Sequence, residues 1–247
     1  METSGGDLWF WDLRCGVPVA LRRRLQIVLE RTEATHRRSA ARLRACGRED
    51  QARQMERSAE WARFDLDEPV LSQQLYAAAA RLRSARRLEL LAGRALETML
   101  SLARADRGNV QLVDAESGAL RIVAHHGFDA EFLDHFAVVD DDGSACGRAA
   151  RYGAQLVISD VTTDPGFGPH REIAAASGFR AVQSTPLIDK AGRLVGVVST
   201  HYPRLYAPSA RDLRITRRYA DLVSRALAPR VGTEPTALSR LSVHSGA

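Results

Sequence analysis

Apolar positions along this chain change period near residue 107. Before that point they recur every three or four residues; beyond it they alternate. Leu21, Leu25, Val28, Leu29, Thr32, His36 and Leu43 mark one stripe on a helix over 18–45, with Gly47 as its stop. A second helix is expected over 49–64, broken by Asp67-Glu68-Pro69. Leu71, Leu75, Ala78, Ala79 and Leu82 begin a third. Its pattern runs on through Leu88, Leu91, Leu96, Met99 and Leu100 to Ala105. Gly93 is the sole interruption, and a helix tolerates a glycine at a cost of about 1 kcal/mol. These stripes are narrow and rich in Ala and Arg, which suits helix pairing within one chain or between two copies. Sustained heptads are not evident.

After Arg107 the period is two. Residues 108–114 and 120–126 read as paired strands joined by a turn at Ala115-Glu116-Ser117-Gly118. Residues 181–189 and 193–202 form a second pair, joined at Asp189-Lys190-Ala191-Gly192. Leu194 to Val198 is apolar on both faces around Gly196, as expected of a strand near the centre of a sheet. A closing helix is expected over 209–227. Ser209 and Asp212 have capping-box spacing, and Leu213, Thr216, Ala220, Val223 and Leu227 give the core stripe. Residues 230–247 lack periodicity and are expected to be disordered. No internal repeat is present.

Composition narrows the class. Apolar residues make up 45% of the 247, enough for a sizeable core, yet no apolar run reaches the ~18 residues of a membrane span. Leu8-Trp9-Phe10-Trp11 is too short for a signal-peptide core, so a cytoplasmic protein without membrane contact is expected. Cys15, Cys46 and Cys146 lie too far apart for a disulfide framework. All basic residues except Lys190 are arginine, consistent with the codon usage of a GC-rich bacterial genome. The net charge of +5 sits entirely in residues 1–95, which carry 18 arginines against 13 acids. Those arginines are interleaved with acids in helical sequence, so a solvated helix face is expected rather than nucleic-acid binding.

The 128–179 segment, inserted between the strand pairs, holds the candidate chemistry. Phe128, Phe132 and Phe136 fall at i, i+4 and i+8 on a short predicted helix and share a face. They read either as plain core or as the roof of a cavity facing Gln183, Ser199 and His201 on the sheet. Cys146 stands at the start of another helix, where its thiol pKa could be lowered, but Asp140, Asp141 and Asp142 oppose that. A small buried thiol is the plainer expectation. The three aspartates could coordinate a divalent cation, or form a solvated loop. His125 and His126 are adjacent on a strand and point to opposite faces, and no metal-ligand spacing such as H-E-x-x-H or C-x-x-C occurs. No phosphate loop or nucleophile elbow is present either. An enzyme is not expected.

The order of elements, with the motifs inside it, resembles the GAF domain over residues 86–228. The match rests on Ala105 through Asp114, Gly127-Phe128, Cys146-Gly147-Arg148-Ala149, Ile158-Ser159-Asp160-Val161, Asp164-Pro165, 178–182, Pro186-Leu187-Ile188 and 192–202. The last of these looks like the variant in bacterial sensor kinases and related signalling proteins. The resemblance implies an α+β fold, a central antiparallel sheet flanked by helices, with residues 1–85 as an all-helical extension and 229–247 as a tail. It also implies a pocket between one sheet face and the insertion.

The expected ligand set is Phe128, Phe132, Phe136, Cys146, Phe167, Phe179, Gln183, Ser199 and His201. No cofactor is identified. Some GAF sensors hold haem through one histidine, for which His135, His170 or His201 would be the candidates. The Cys-His pair of bilin binders and the Asn-Lys start of the cyclic-nucleotide signature are missing, and methionine sulfoxide reduction needs more cysteines than Cys146. No kinase, cyclase, phosphodiesterase or ATPase motif follows Ala228. The expected device is therefore a regulatory protein that binds an unidentified small molecule. It would signal through its helices to a homodimer interface or to a separate output protein. The competing expectations are a scaffold without a ligand and a Cys146 redox switch.

Overall fold

The computed structural model describes residues 19–231, with side chains from residue 23 onward. The readings of Leu8-Trp9-Phe10-Trp11, of Cys15 and of the tail beyond residue 231 lie outside those residues. The chain divides into two compact units, Met1–Tyr76 and Ala77–Ala247.

In the first unit, α1 (Val19–Ala45) and α2 (Glu49–Asp67) form a helical hairpin. Gly47 turns the chain between them at φ +71°, a left-handed conformation that glycine adopts without strain. Ala40 and Ala52 are buried near the turn, where small side chains let two helix backbones approach. Arg44 draws the ends together through Glu56 at 2.7 Å and Glu49 at 3.5 Å.

A third helix, α3 (Pro69–Leu82), contains the boundary between the units. The single long helix expected from 71 to 105 is broken here, and α4 (Leu88–Ala103) begins afresh. The Ser84 hydroxyl donates to the Arg81 carbonyl at 2.8 Å, and the amides of Arg83, Ser84 and Ala85 bond three residues back. A serine that competes for a helix carbonyl, followed by a tightened last turn, ends the helix without glycine or proline.

The second unit is an α+β domain. Its strands are β1 (Arg107–Val113), β2 (Leu120–His126), β3 (Val138–Val139), β4 (Leu156–Ile158), β5 (Ala181–Ile188) and β6 (Leu194–Tyr202). They form one antiparallel sheet in the order β3-β2-β1-β6-β5-β4, so β6 is central as its two apolar faces require. Both hairpin turns are held by an aspartate. Asp114 accepts from the amides of Glu116 and Ser117, and Asp189 from those of Ala191 and Arg193.

One sheet face packs on α4 and on α8 (Ala210–Leu227). The capping box forms as expected, with Ser209 and Asp212 satisfying each other's backbone amides. Ser209→Ala should lower stability by about 1 kcal/mol in urea unfolding. Leu227, Tyr219 and Val223 are buried along the helix, each contributing roughly 1.5–3 kcal/mol of apolar burial. The other face carries α5 (Ala130–His135), α6 (Ala145–Tyr152), a 3-10 turn at Pro165–His170 and α7 (Arg171–Ala176). These elements share a core with Val182 and Val197 of the sheet. No described helix is long and apolar enough to cross a membrane.

Candidate functional site

Strand alternation decides which side chains face the insertion. Asn109 on β1 pairs with Ser199 on β6, which pairs with Ser184 on β5, so these three lie in one row on one face. The Ser184 and Ser199 hydroxyls are 2.8 Å apart. One step along, Val182 pairs with His201. These residues form the floor of a cavity of about 10 Å³, room for a single water. The start of α6 forms its wall, with Ser144, Ala145 and Cys146. Phe132, Phe136 and Phe167 close the roof.

The wall depends on Gly147. A side chain there would place its first carbon 1.9 Å from the Asp141 carbonyl oxygen, so glycine alone lets the acidic loop pass across the first turn of α6. Ser144 caps that turn by accepting from the Gly147 amide at 3.0 Å. The roof is tied to α6 by Arg148, which grips Asp164 with both terminal nitrogens at 2.9 and 3.1 Å. Asp164 in turn caps the 3-10 turn that carries Phe167. Arg107 closes one margin by donating to the carbonyls of Gly127 at 3.1 Å and Gly178 at 3.0 Å.

His201 sits in an aromatic box. Its ring lies 4.9 Å from Phe128, 4.7 Å from Phe179 and 5.7 Å from Phe132, all near perpendicular. Burial, with Arg107 beside it, pushes its pKa down to about 3, so the imidazole is neutral. Its Nδ1 has no partner, nor does Oδ1 of Asn109. Both residues are buried, at 6% and 3% exposed. At the outer edge of the roof, His135 and His170 share a hydrogen bond of 2.9 Å, and burial followed by the charge of His135 lowers the pKa of His170.

Six of the nine expected residues meet at this cavity: Phe132, Phe136, Cys146, Phe167, Ser199 and His201. Phe128 and Phe179 stand behind them. Phe128 stacks on Phe132 at 3.6 Å, although it precedes the six-residue α5 instead of lying on it. Gln183 is misplaced in the expectation. It pairs with Thr200, so it points to the opposite face, where its amide donates to Thr216 of α8 at 2.9 Å. Its neighbour Ser184 holds the floor position. Asn109 and Ser184 were missed, although a polar residue in an otherwise buried strand was a signal available in the sequence.

Cys146 is buried, and that burial pushes its thiol pKa up despite the Ser144 hydroxyl 3.1 Å away. It should therefore react with iodoacetamide at pH 8 at least a hundredfold more slowly than exposed Cys46, as peptide mapping would show. Asp142 pairs with Arg151, and Asp141 accepts from the Gly143 amide. Among the described residues, no group of three or more histidine, cysteine or carboxylate side chains is placed to hold a metal ion.

The same arrangement of sheet, insertion and flanking helices occurs in solved structures of low identity. The GAF domain of a phosphoenolpyruvate-protein phosphotransferase from Coxiella burnetii is 14% identical, with a TM-score of 0.56 over 64% of this chain and 93% of that one. The corresponding Acinetobacter domain is 12% identical, with a TM-score of 0.54 over 66% and 95%. Free methionine-R-sulfoxide reductase from Neisseria meningitidis, solved with its substrate, is 19% identical, with a TM-score of 0.53 over 71% and 93%. At these identities the likeness is one of fold. No curated protein matches the chain in sequence. The family model of the GAF domain matches residues 85–228, more than half of the chain. With the antiparallel sheet, the covering insertion and the capped closing helix all in place, the chain belongs to the GAF domain family.

Proposed function

We propose that this chain is a signalling or regulatory protein whose cavity binds a small molecule. Residues 86–228 would be the sensing domain and residues 1–85 a helical extension. The flanking helices would pass the bound state to a second copy or to a separate output protein. GAF domains generally serve in signalling, regulation and small-molecule sensing. The observation that carries the reading in this chain is the pair of buried, unpartnered polar atoms on the floor, Asn109 Oδ1 and His201 Nδ1, beneath a phenylalanine roof. Buried polar atoms nearly always have partners, and a bound molecule would supply them.

The tightness of the cavity suggests the mechanism. With room for about one water, a larger molecule enters after Phe132, Phe136 or Phe167 moves. Binding would then be coupled to the packing of the insertion, and a ligand would shift the population toward an open roof. Strand β6 offers a route onward. Ser199 and His201 face the cavity, while the alternating Thr200 and Tyr202 face the helices. The Tyr202 hydroxyl donates to the Ala103 carbonyl at the end of α4 at 3.3 Å.

The close packing also favours a second reading, an interaction module whose side chains fill their own pocket. A thermal-shift screen of metabolites, nucleotides and haem separates the two. A ligand at a hundred times its Kd adds about 2.7 kcal/mol of stability, a rise in Tm of several degrees. No rise with any compound would favour the module.

A further inference from the structure

The ligand's chemistry can be narrowed from the charge inventory of the cavity, an inference that rests on the sensing reading above. We infer that the cavity selects a small uncharged molecule that has a flat apolar face and carries both a hydrogen-bond donor and an acceptor. None of the residues lining the cavity is an aspartate, glutamate, lysine or arginine, and its one histidine is neutral. The two arginines that adjoin it aim their donors elsewhere. Arg107 donates to the Gly127 and Gly178 carbonyls, and Arg148 holds Asp164. The first turn of α6 already has a cap. Ser144 takes the Gly147 amide and also contacts the Cys146 sulfur at 3.1 Å. With no charged side chain in the lining, an anion here would be buried without a counter-charge in contact with it, which is strongly unfavourable.

What the floor offers is neutral and two-way. Asn109 Oδ1 is an unpartnered acceptor, so it calls for a donor on the ligand. The Ser184 and Ser199 hydroxyls donate and accept, and the neutral His201 ring can do either through Nδ1. Phe132, Phe136 and Phe167 supply flat apolar surface above. An amide or lactam on a six-membered ring has this combination; the matching carboxylate has the wrong charge and no donor.

The test uses matched ring pairs, nicotinamide with nicotinate and benzamide with benzoate, titrated into the full chain and read by saturation-transfer NMR. The Phe136→Ala variant is run beside it, because removing that ring makes room without requiring the roof to open. The expected result is that amides bind at least tenfold tighter than their carboxylates. Asn109→Leu in the same background should weaken amide binding at least tenfold, with Ser199→Ala as the milder second variant and circular dichroism as the check on folding. Carboxylates binding as tightly as amides, or amide binding untouched by both floor variants, overturns the inference and leaves the sensing reading in place. Silence from every probe on both proteins overturns the two together.

Discussion

Between pH 6.5 and pH 4.5 the His201→Leu variant should keep about 2–3 kcal/mol of stability that the parent chain loses. The reason is the aromatic box. The pKa of His201 in the folded chain is about 3, against an ordinary value of 6.5, because charging the ring means burying a cation among phenylalanines beside Arg107. The unfolded chain takes up the proton first as pH falls. Stability from the neutral ring is therefore complete above pH 6.5 and declines below it, down to the folded value near 3. His170 acts in the same direction, since burial and the charge of His135 lower its pKa too.

The carboxylates contribute lower on the scale. Asp160 is held down first by Arg180, and Asp164 by Arg148 against its own burial. Their stabilisation persists until pH falls toward the ordinary aspartate value of 3.8, so the window above pH 4.5 reports mainly the histidines. Urea unfolding at the two pH values measures the effect. Leucine is close to histidine in volume, and comparing slopes removes any difference in baseline. Equal acid sensitivity in the two proteins would show that His201 is not buried as a neutral ring.

Two glycine-to-alanine substitutions should move stability in opposite directions, the first by at least as much as the loss of His201. Gly196 lies in central strand β6, opposite Leu112 on one side and Leu187 on the other. A first side-chain carbon there would stand 2.2 Å from the Gln111 carbonyl oxygen and 2.9 Å from Leu112 Cδ2. Backbone cannot yield as a flexible side-chain tip does, so β1 must move off β6, and the sheet's central pairing suffers. Gly196→Ala should cost about 3 kcal/mol or more. Gly93, in the interior of α4, has nothing within 4 Å of the same position. Gly93→Ala should stabilise by about 1 kcal/mol, because alanine loses less backbone entropy on folding into a helix. Unfolding midpoints for the two variants check both signs.

These contrasts show what the sequence disclosed and where it fell silent. The hairpins were legible because alternation and a glycine-ended turn are local signals; Asp189 holds the turn it was expected to open, while Asp114, read as the end of a strand, holds the other. The closing helix was legible from the Ser209–Asp212 capping pair and the stripe from Leu213 to Leu227 that follows it. The break after Leu82 was not, since it depends on one serine hydroxyl taking a helix carbonyl, an event without a glycine or proline to announce it. At the site, three phenylalanines at helical spacing did converge, though two of them flank α5 and are not part of it. Gln183 was placed one residue out of phase, and in a strand one residue is the difference between two faces. The volume of the cavity was beyond reach of pattern altogether. It follows from how Phe132, Phe136 and Phe167 interlock, which is a property of packing.

The most direct test of the central claim is native mass spectrometry on the full chain isolated from the cell that makes it, under conditions that preserve noncovalent contacts. The expected spectrum shows the chain carrying one added small mass, released on denaturation and lost when Asn109 and Ser199 are both replaced. A spectrum of the bare chain alone, unchanged when cell extract is added back to the protein, would contradict it.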